Sequence, residues 1–146
     1  MSFVSRIHEF NHNAGLVDKG YDDFLEASFQ IEEALEGFDL DQLVRTYNLD
    51  AAPDAKSISR ALVETCVTNI PDVDRLDKAC DAVVFAIGSM TKLGLDANQI
   101  KRAMDIVMDA NEAKLGCKPD SAGKLQKPKN FNSPEPKLQQ LLEERI

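Results

Sequence analysis

From Gly20 to Leu115 the apolar residues recur at steps of three and four, a period that fits a stack of amphipathic helices and leaves no room for a sheet. Phe24, Ala27, Ile31, Leu35 and Phe38, with Ser28 on the same face, predict a helix that begins after Gly20 and ends near Gly37. Leu40, Leu43, Val44 and Tyr47 predict a short second piece ending at Asn48, and Ala51 to Asp54, with Pro53, a turn. Asp54 or Ser57 caps a third helix to about Thr68, with Ile58, Ala61, Leu62, Thr65 and Cys66 on its inner face. Pro71 breaks the chain. From Asp72 to Leu93 the set Val73, Leu76, Ala79, Cys80, Val83, Val84, Ile87 and Met90 predicts a fourth helix. Its second half is apolar almost all round, which suits a central helix or a subunit interface. Gly94 ends it, Asp96 with Gln99 forms a capping box, and Ile100, Ala103, Met104, Val107, Met108 and Ala110 carry a fifth helix towards Leu115 and its stop at Gly116. With no β alternation, the fold class is an all-α bundle of four to five helices.

Beyond Gly116 the texture changes. Pro119, Gly123, Pro128, Pro134 and Pro136 predict an irregular tail with one short helix from Lys137 to Arg145. Residues 1–117 form the helical domain and residues 118–146 a basic, Pro-rich tail or flap. Charge follows the same division: residues 1–115 hold 11 Lys or Arg against 21 Asp or Glu, and residues 116–146 hold six against four. The net charge of −8 over 146 residues excludes a duplex nucleic acid, whose phosphates demand a basic face. A phosphorylated small molecule remains open to an acidic chain when divalent cations stand between carboxylates and phosphate oxygens. Cys66, Cys80 and Cys117 form no CxxC pair and are expected to be reduced thiols. Arg6, His8 and Glu9 interrupt any signal-peptide core, and the nearly uncharged stretch Ala82–Thr91 is too short to span a bilayer. A cytoplasmic protein is expected.

The sharpest chemical feature is Ile31-Glu-Glu-Ala-Leu-Glu36. Glu32, Glu33 and Glu36 stand three and four residues apart, on neighbouring turns of one helix, where like charges repel unless a cation neutralises them. Asp77 and Asp81 repeat the arrangement, one turn apart, on the fourth helix. If the two helices pack antiparallel, the five carboxylates converge into a cage of hard oxygens suited to magnesium or manganese. The two histidines lie near the N-terminus and the cysteines are scattered, so a zinc site has little support. For an isolated EExxE the ordinary reading is a solvated helix face. Asp81 weighs against it, because its neighbours Cys80 and Ala82–Phe85 read as buried, and a buried carboxylate needs a cation or donors.

These residues resemble the MazG-like, all-α nucleoside triphosphate pyrophosphohydrolases, near their phosphoribosyl-ATP pyrophosphohydrolase-like members. The resemblance runs through Glu32-Glu-Ala-Leu-Glu36, Asp77-Lys-Ala-Cys-Asp81-Ala-Val-Val-Phe, Gly88, Leu93-Gly-Leu-Asp96, Asn111-Glu-Ala-Lys114-Leu and Gly123-Lys-Leu-Gln-Lys-Pro-Lys-Asn-Phe131. One departure stands out: many relatives place Glu three residues before the Asp, where this chain has Lys78, and the nearest acid is Asp77, four residues before Asp81. The segment Leu49 to Asn69 is also longer than in the smallest relatives. The resemblance implies magnesium-dependent (or manganese-dependent) cleavage between the α- and β-phosphates of a nucleotide, giving a monophosphate and pyrophosphate. It implies Glu33, Glu36, Asp77 and Asp81 as metal ligands or their supports, and Glu32 as the residue that orients the attacking water.

Asn111 and Lys114 share a helix face near the end of the fifth helix and are candidates for phosphate or ribose contact; the competing reading is an ordinary polar helix end. Lys118, Lys124, Lys127 and Lys129 suit a basic flap over a polyphosphate, with Lys124 and Lys127 as substrate-binding candidates, although Lys-rich tails are commonly just solvated. His8, Phe10, Asn11, His12 and Asn13 have groups that stack on a base, yet read better as a helix cap with surface histidines, and Met90, Met104 and Met108 read as packing. The expected partners are a nucleotide and further copies of the chain, as a homodimer or dimer of dimers. The competing function is a non-catalytic helical module that oligomerises through the apolar run Asp81–Leu93, with its acids serving solubility.

Overall fold

The computed structural model describes residues 1–48, 54–66, 70–121 and 124–145. Among these described residues there are seven α-helices: α1 (Phe3–Asn13), α2 (Asp23–Leu35), α3 (Leu40–Tyr47), α4 (Ala55–Cys66), α5 (Asp72–Lys92), α6 (Ala97–Glu112) and α7 (Glu135–Glu143), with a 3-10 turn at Val17–Lys19. Among the described residues the one β pairing is an isolated antiparallel bridge, Pro119 to Leu125. The chain is therefore all-α, as the periodicity predicts, with α3 where the short second piece is expected and α1 beyond the helices of the pattern. No helix among the described residues is long and apolar enough to cross a membrane. The turn expected at Ala51 to Pro53, the helix end expected at Thr68 and Gly123 lie outside the described residues.

The chain divides into two compact units, Lys19–Ile70 and Met1–Asp18 with Pro71–Ile146. The division expected at residue 117 is not among these boundaries.

In the unit Lys19–Ile70, α2 packs on α4. Each helix starts where a short acid accepts from its first turn: Asp22 from the Leu25 N–H at 3.0 Å, Asp39 from Gln42 at 3.0 Å, and Asp54 from Ser57 at 2.6 Å. Asn48 closes α3 in the left-handed region, at φ 49°. The inner face of α4 is not the expected one: Ser59 and Val63 are buried, one turn apart, while Leu62 is exposed. The face is turned because a serine can be buried cheaply when its hydroxyl is satisfied locally, and Ser59 Oγ donates to the Lys56 carbonyl at 3.0 Å. Ser28, the buried residue of α2, does the same to the Leu25 carbonyl. Phe38, expected on the α2 face, is 69 % exposed beyond the helix end.

In the other unit α6 is the centre. Ile100, Ala103, Met108 and Ala110 are buried, and α1, α5 and α7 all contact this helix. Asp96 and Gln99 form the expected capping box, and Gly94 and Gly116 adopt the positive φ, 87° and 82°, that the chain reversals need. The tail does not stay apart. Leu141 of α7 is 2 % exposed, Arg102 of α6 grips Glu144 with two bonds of 2.6 and 3.1 Å, and Arg145 Nη1 donates to the Leu93 carbonyl at 2.6 Å.

Nothing in the sequence pattern singles out the junction of α1 with α6. Arg6 reaches three carboxylates of α6: Nε to Glu112 at 2.9 Å, Nη1 to Asp105 at 3.2 Å and Nη2 to Asp109 at 2.7 Å. Its guanidinium is held even more firmly protonated than usual, chiefly by Glu112 and Asp109. Asp105 is held below the ordinary aspartate range, first by Lys101 and then by Arg6. A carboxylate lowered on folding contributes stability above its unfolded pKa and loses it as pH falls through the folded one. Arg6→Gln is therefore expected to lower the melting temperature at pH 7, by about 1–2 kcal/mol of stability, with the gap from wild type closing as Asp105 protonates in acid. Melting curves from pH 7 down to pH 3 check this, and a gap of constant size would contradict it.

Candidate functional site

The three glutamates sit at the C-terminal end of α2. Glu32 and Glu33 lie within the helix, and Glu36 follows as its cap, still in helical conformation, with its N–H donating to the Glu32 carbonyl at 3.1 Å. Glu32 is half-buried and Glu33 and Glu36 are exposed. The last turn of α2 has no basic residue, so three acids gather at the negative end of the helix dipole, where cations are favoured. Beside Glu36 is a cleft of about 480 Å³ lined also by Phe38, Asp39, Asp41 and Asp54. Asp39 and Asp54 are occupied as helix caps, and the Ser57 N–H holds the Asp54 carboxyl below its ordinary range.

Asp77 and Asp81 lie one turn apart on α5, in the other unit. The expectation that Asp81 is buried does not hold. No residue of α5 is buried; Cys80 is exposed, and Phe85, four residues after Asp81, is 75 % exposed. Val73, Leu76, Val83 and Val84 are exposed as well, because α5 touches its unit mainly through α6. The burial argument for a cation at Asp81 falls away with this. The donors on α2 and α5 are all carboxylate oxygens, the type that suits magnesium. Among the described residues no three His, Cys, Asp or Glu side chains stand close enough to hold one metal ion.

Around the end of α6 polar residues do gather. Lys114 Nζ donates to Asn111 Oδ1 at 2.8 Å, in a half-buried setting. The same ammonium lies 5.5 Å from the centroid of the Phe131 ring, and Lys127 Nζ lies 5.3 Å from it. Lys127 also helps to hold the Glu135 carboxyl below its ordinary range, after the larger effect of the Ser133 side chain. Lys124 precedes Leu125 of the bridge to Pro119, its backbone N–H donating to Asp120 Oδ1 at 3.0 Å, while Lys118 and Lys129 are exposed.

The N-terminal set lies on α1. His8 and His12 rings are 4.6 Å apart, and Asn11 uses its amide on its own helix, donating to the Ile7 carbonyl at 2.8 Å. Phe10 and Asn13 line a cleft of about 410 Å³ with Arg6, Glu9 and Glu112. Met108 is buried and Met90 and Met104 are half-buried, consistent with packing.

Comparison with family models, curated proteins and solved structures finds no match to this chain. The residues themselves must carry any functional reading. Two contacts escape sequence reasoning: that of Arg6 with the distant carboxylates Asp105, Asp109 and Glu112, and that of Phe131 with Lys114.

Proposed function

We propose that this chain is a magnesium-dependent nucleotide pyrophosphohydrolase of the MazG-like, all-α type, cleaving the α–β phosphoanhydride of a nucleoside triphosphate or related nucleotide. The observation that carries the reading is the occurrence, in order along the chain, of Glu32, Glu33 and Glu36 at the end of α2, Asp77 and Asp81 on α5, and the Asn111–Lys114 pair at the end of α6. Glu33, Glu36, Asp77 and Asp81 are the ligands in this reading. Magnesium, when bound, supplies charge neutralisation at the phosphates and a more acidic water. Glu32 orients the attacking water, Asn111 and Lys114 hold the nucleotide, and Lys124 and Lys127 draw the polyphosphate towards them.

The test is pyrophosphate release from a panel of natural and damaged ribo- and deoxyribonucleotides, with magnesium or manganese. Release of pyrophosphate together with a monophosphate is the expected result. A panel that yields none overturns the catalytic reading.

A second reading is favoured by α5, whose apolar side chains stand exposed along its length: a helical oligomerisation module without catalysis. Both readings place further copies of the chain against α5, as a homodimer or dimer of dimers. They part at the assay, since the module releases no pyrophosphate.

A further inference from the structure

We propose that Phe131 is a positioning residue that gathers the ammonium groups of Lys114 and Lys127 into a paired cationic site for the polyphosphate chain of a nucleotide. The proposal rests on the nucleotide reading above and identifies what this part of the chain would grip. Cations are drawn to the face of an aromatic ring when they lie within about 6 Å of its centre, and both lysines meet that distance on the same ring. Two ammonium groups so placed stand within about 11 Å of one another. Their mutual repulsion is relieved when an anion with several negative groups spans them, and a polyphosphate supplies those groups in a row.

Each component is fixed by local structure. Lys114 comes from the turn that closes α6, where its N–H donates to the Asn111 carbonyl at 2.9 Å and its ammonium donates to the Asn111 amide oxygen. Phe131 comes from a turn in which its N–H donates to the Pro128 carbonyl at 3.1 Å, and this turn folds Lys127 back over the ring four residues on. Phe131 and Lys114 are half-buried and Lys127 is exposed. A leucine would fill the space of the ring and lack its negative face.

Calorimetric titration of the full chain with inorganic tripolyphosphate, in chelator-treated buffer, isolates this site from any metal. Wild type is expected to bind, and more weakly as salt is raised. Phe131→Leu should weaken binding about three- to tenfold, Phe131→Tyr should stay within about twofold of wild type, and Lys127→Gln should weaken it at least as much as Phe131→Leu. If Phe131→Leu does not fold, Phe131→Met takes its place, filling the volume without an aromatic face. Wild-type affinity in Phe131→Leu, equal losses in Phe131→Tyr and Phe131→Leu, no binding by wild type, or orthophosphate bound as tightly as tripolyphosphate would each overturn the proposal. Because binding is read without turnover, a chain that grips tripolyphosphate but hydrolyses no nucleotide retains this site and loses only the hydrolase reading.

Discussion

Glu36→Gln and Asp81→Asn should each cut pyrophosphate release by at least about a hundredfold, while leaving the melting temperature in metal-free buffer unchanged or slightly higher. The two halves of this expectation come from different physics. For turnover, both residues are ligands in the proposed chemistry, and an amide oxygen is a poorer donor to magnesium than a carboxylate. For folding, neither carboxylate is used: among the described residues no hydrogen bond or ion pair engages the side chain of Glu36 or Asp81. Glu36 instead faces the negative end of α2 in the company of Glu32 and Glu33, and Asp81 stands one turn from Asp77 on exposed helix. Removing one charge from either group relieves repulsion between like charges and, in α2, an unfavourable dipole contact. Millimolar magnesium should accordingly raise the melting temperature of wild type and leave those of the variants in place, because an ion that binds only the folded form stabilises it by mass action. Full turnover in both variants would return the five acids to the status of a solvated helix face.

The local grammar of the fold was readable from residues a few positions apart. Asp54 as a cap, Asn48 and Gly94 as stops, and the Asp96–Gln99 box all depend on hydrogen bonds within one turn, and all are found where the spacing places them. Failures begin where the deciding contact is distant. The helix α1 is capped by Ser2, yet its place is set by Arg6 reaching Asp105, Asp109 and Glu112. Ranking residues by hydrophobicity chose Leu62 over Ser59 for the α4 interior, because it cannot register that a hydroxyl satisfied by its own helix is buried at little cost. The same ranking read α5 as buried, whereas its apolar residues are exposed in a single chain. That outcome leaves the other half of the expectation, a subunit interface, as the reading that still accounts for the composition of α5. For the candidate site, EExxE and the Asp77–Asp81 spacing could be placed on helices from sequence alone. The cation pair over Phe131 could not, since no periodicity links residue 114 to residue 131.

Leu141→Ala should be the most damaging single truncation in the chain, with a loss of about 2–5 kcal/mol and a fall of roughly 5–15 °C in melting temperature. Among the described residues Leu141 is the largest side chain buried almost completely, and the other buried apolar residues of its unit are few: Leu95, Ile100, Ala103, Met108 and Ala110. A core so small has little with which to fill the space left by an isobutyl group, so the cavity cost adds to the lost transfer energy. Against a total of about 5–15 kcal/mol for an ordinary domain, that loss is a large share. Glu144→Gln, which weakens only the exposed grip on Arg102, should cost far less, because exposed ion pairs are screened. The contrast separates two views of residues 118–145. If they were a loose flap, both variants would melt like wild type. If α7 is part of the fold, Leu141→Ala alone melts early, and it also weakens tripolyphosphate binding, since Lys127 and Phe131 lie on the segment that α7 ties down against α6. Thermal melts and titrations on the same two variants decide between these outcomes, and loss of anion binding without loss of stability would mean that α7 serves the site directly rather than by docking.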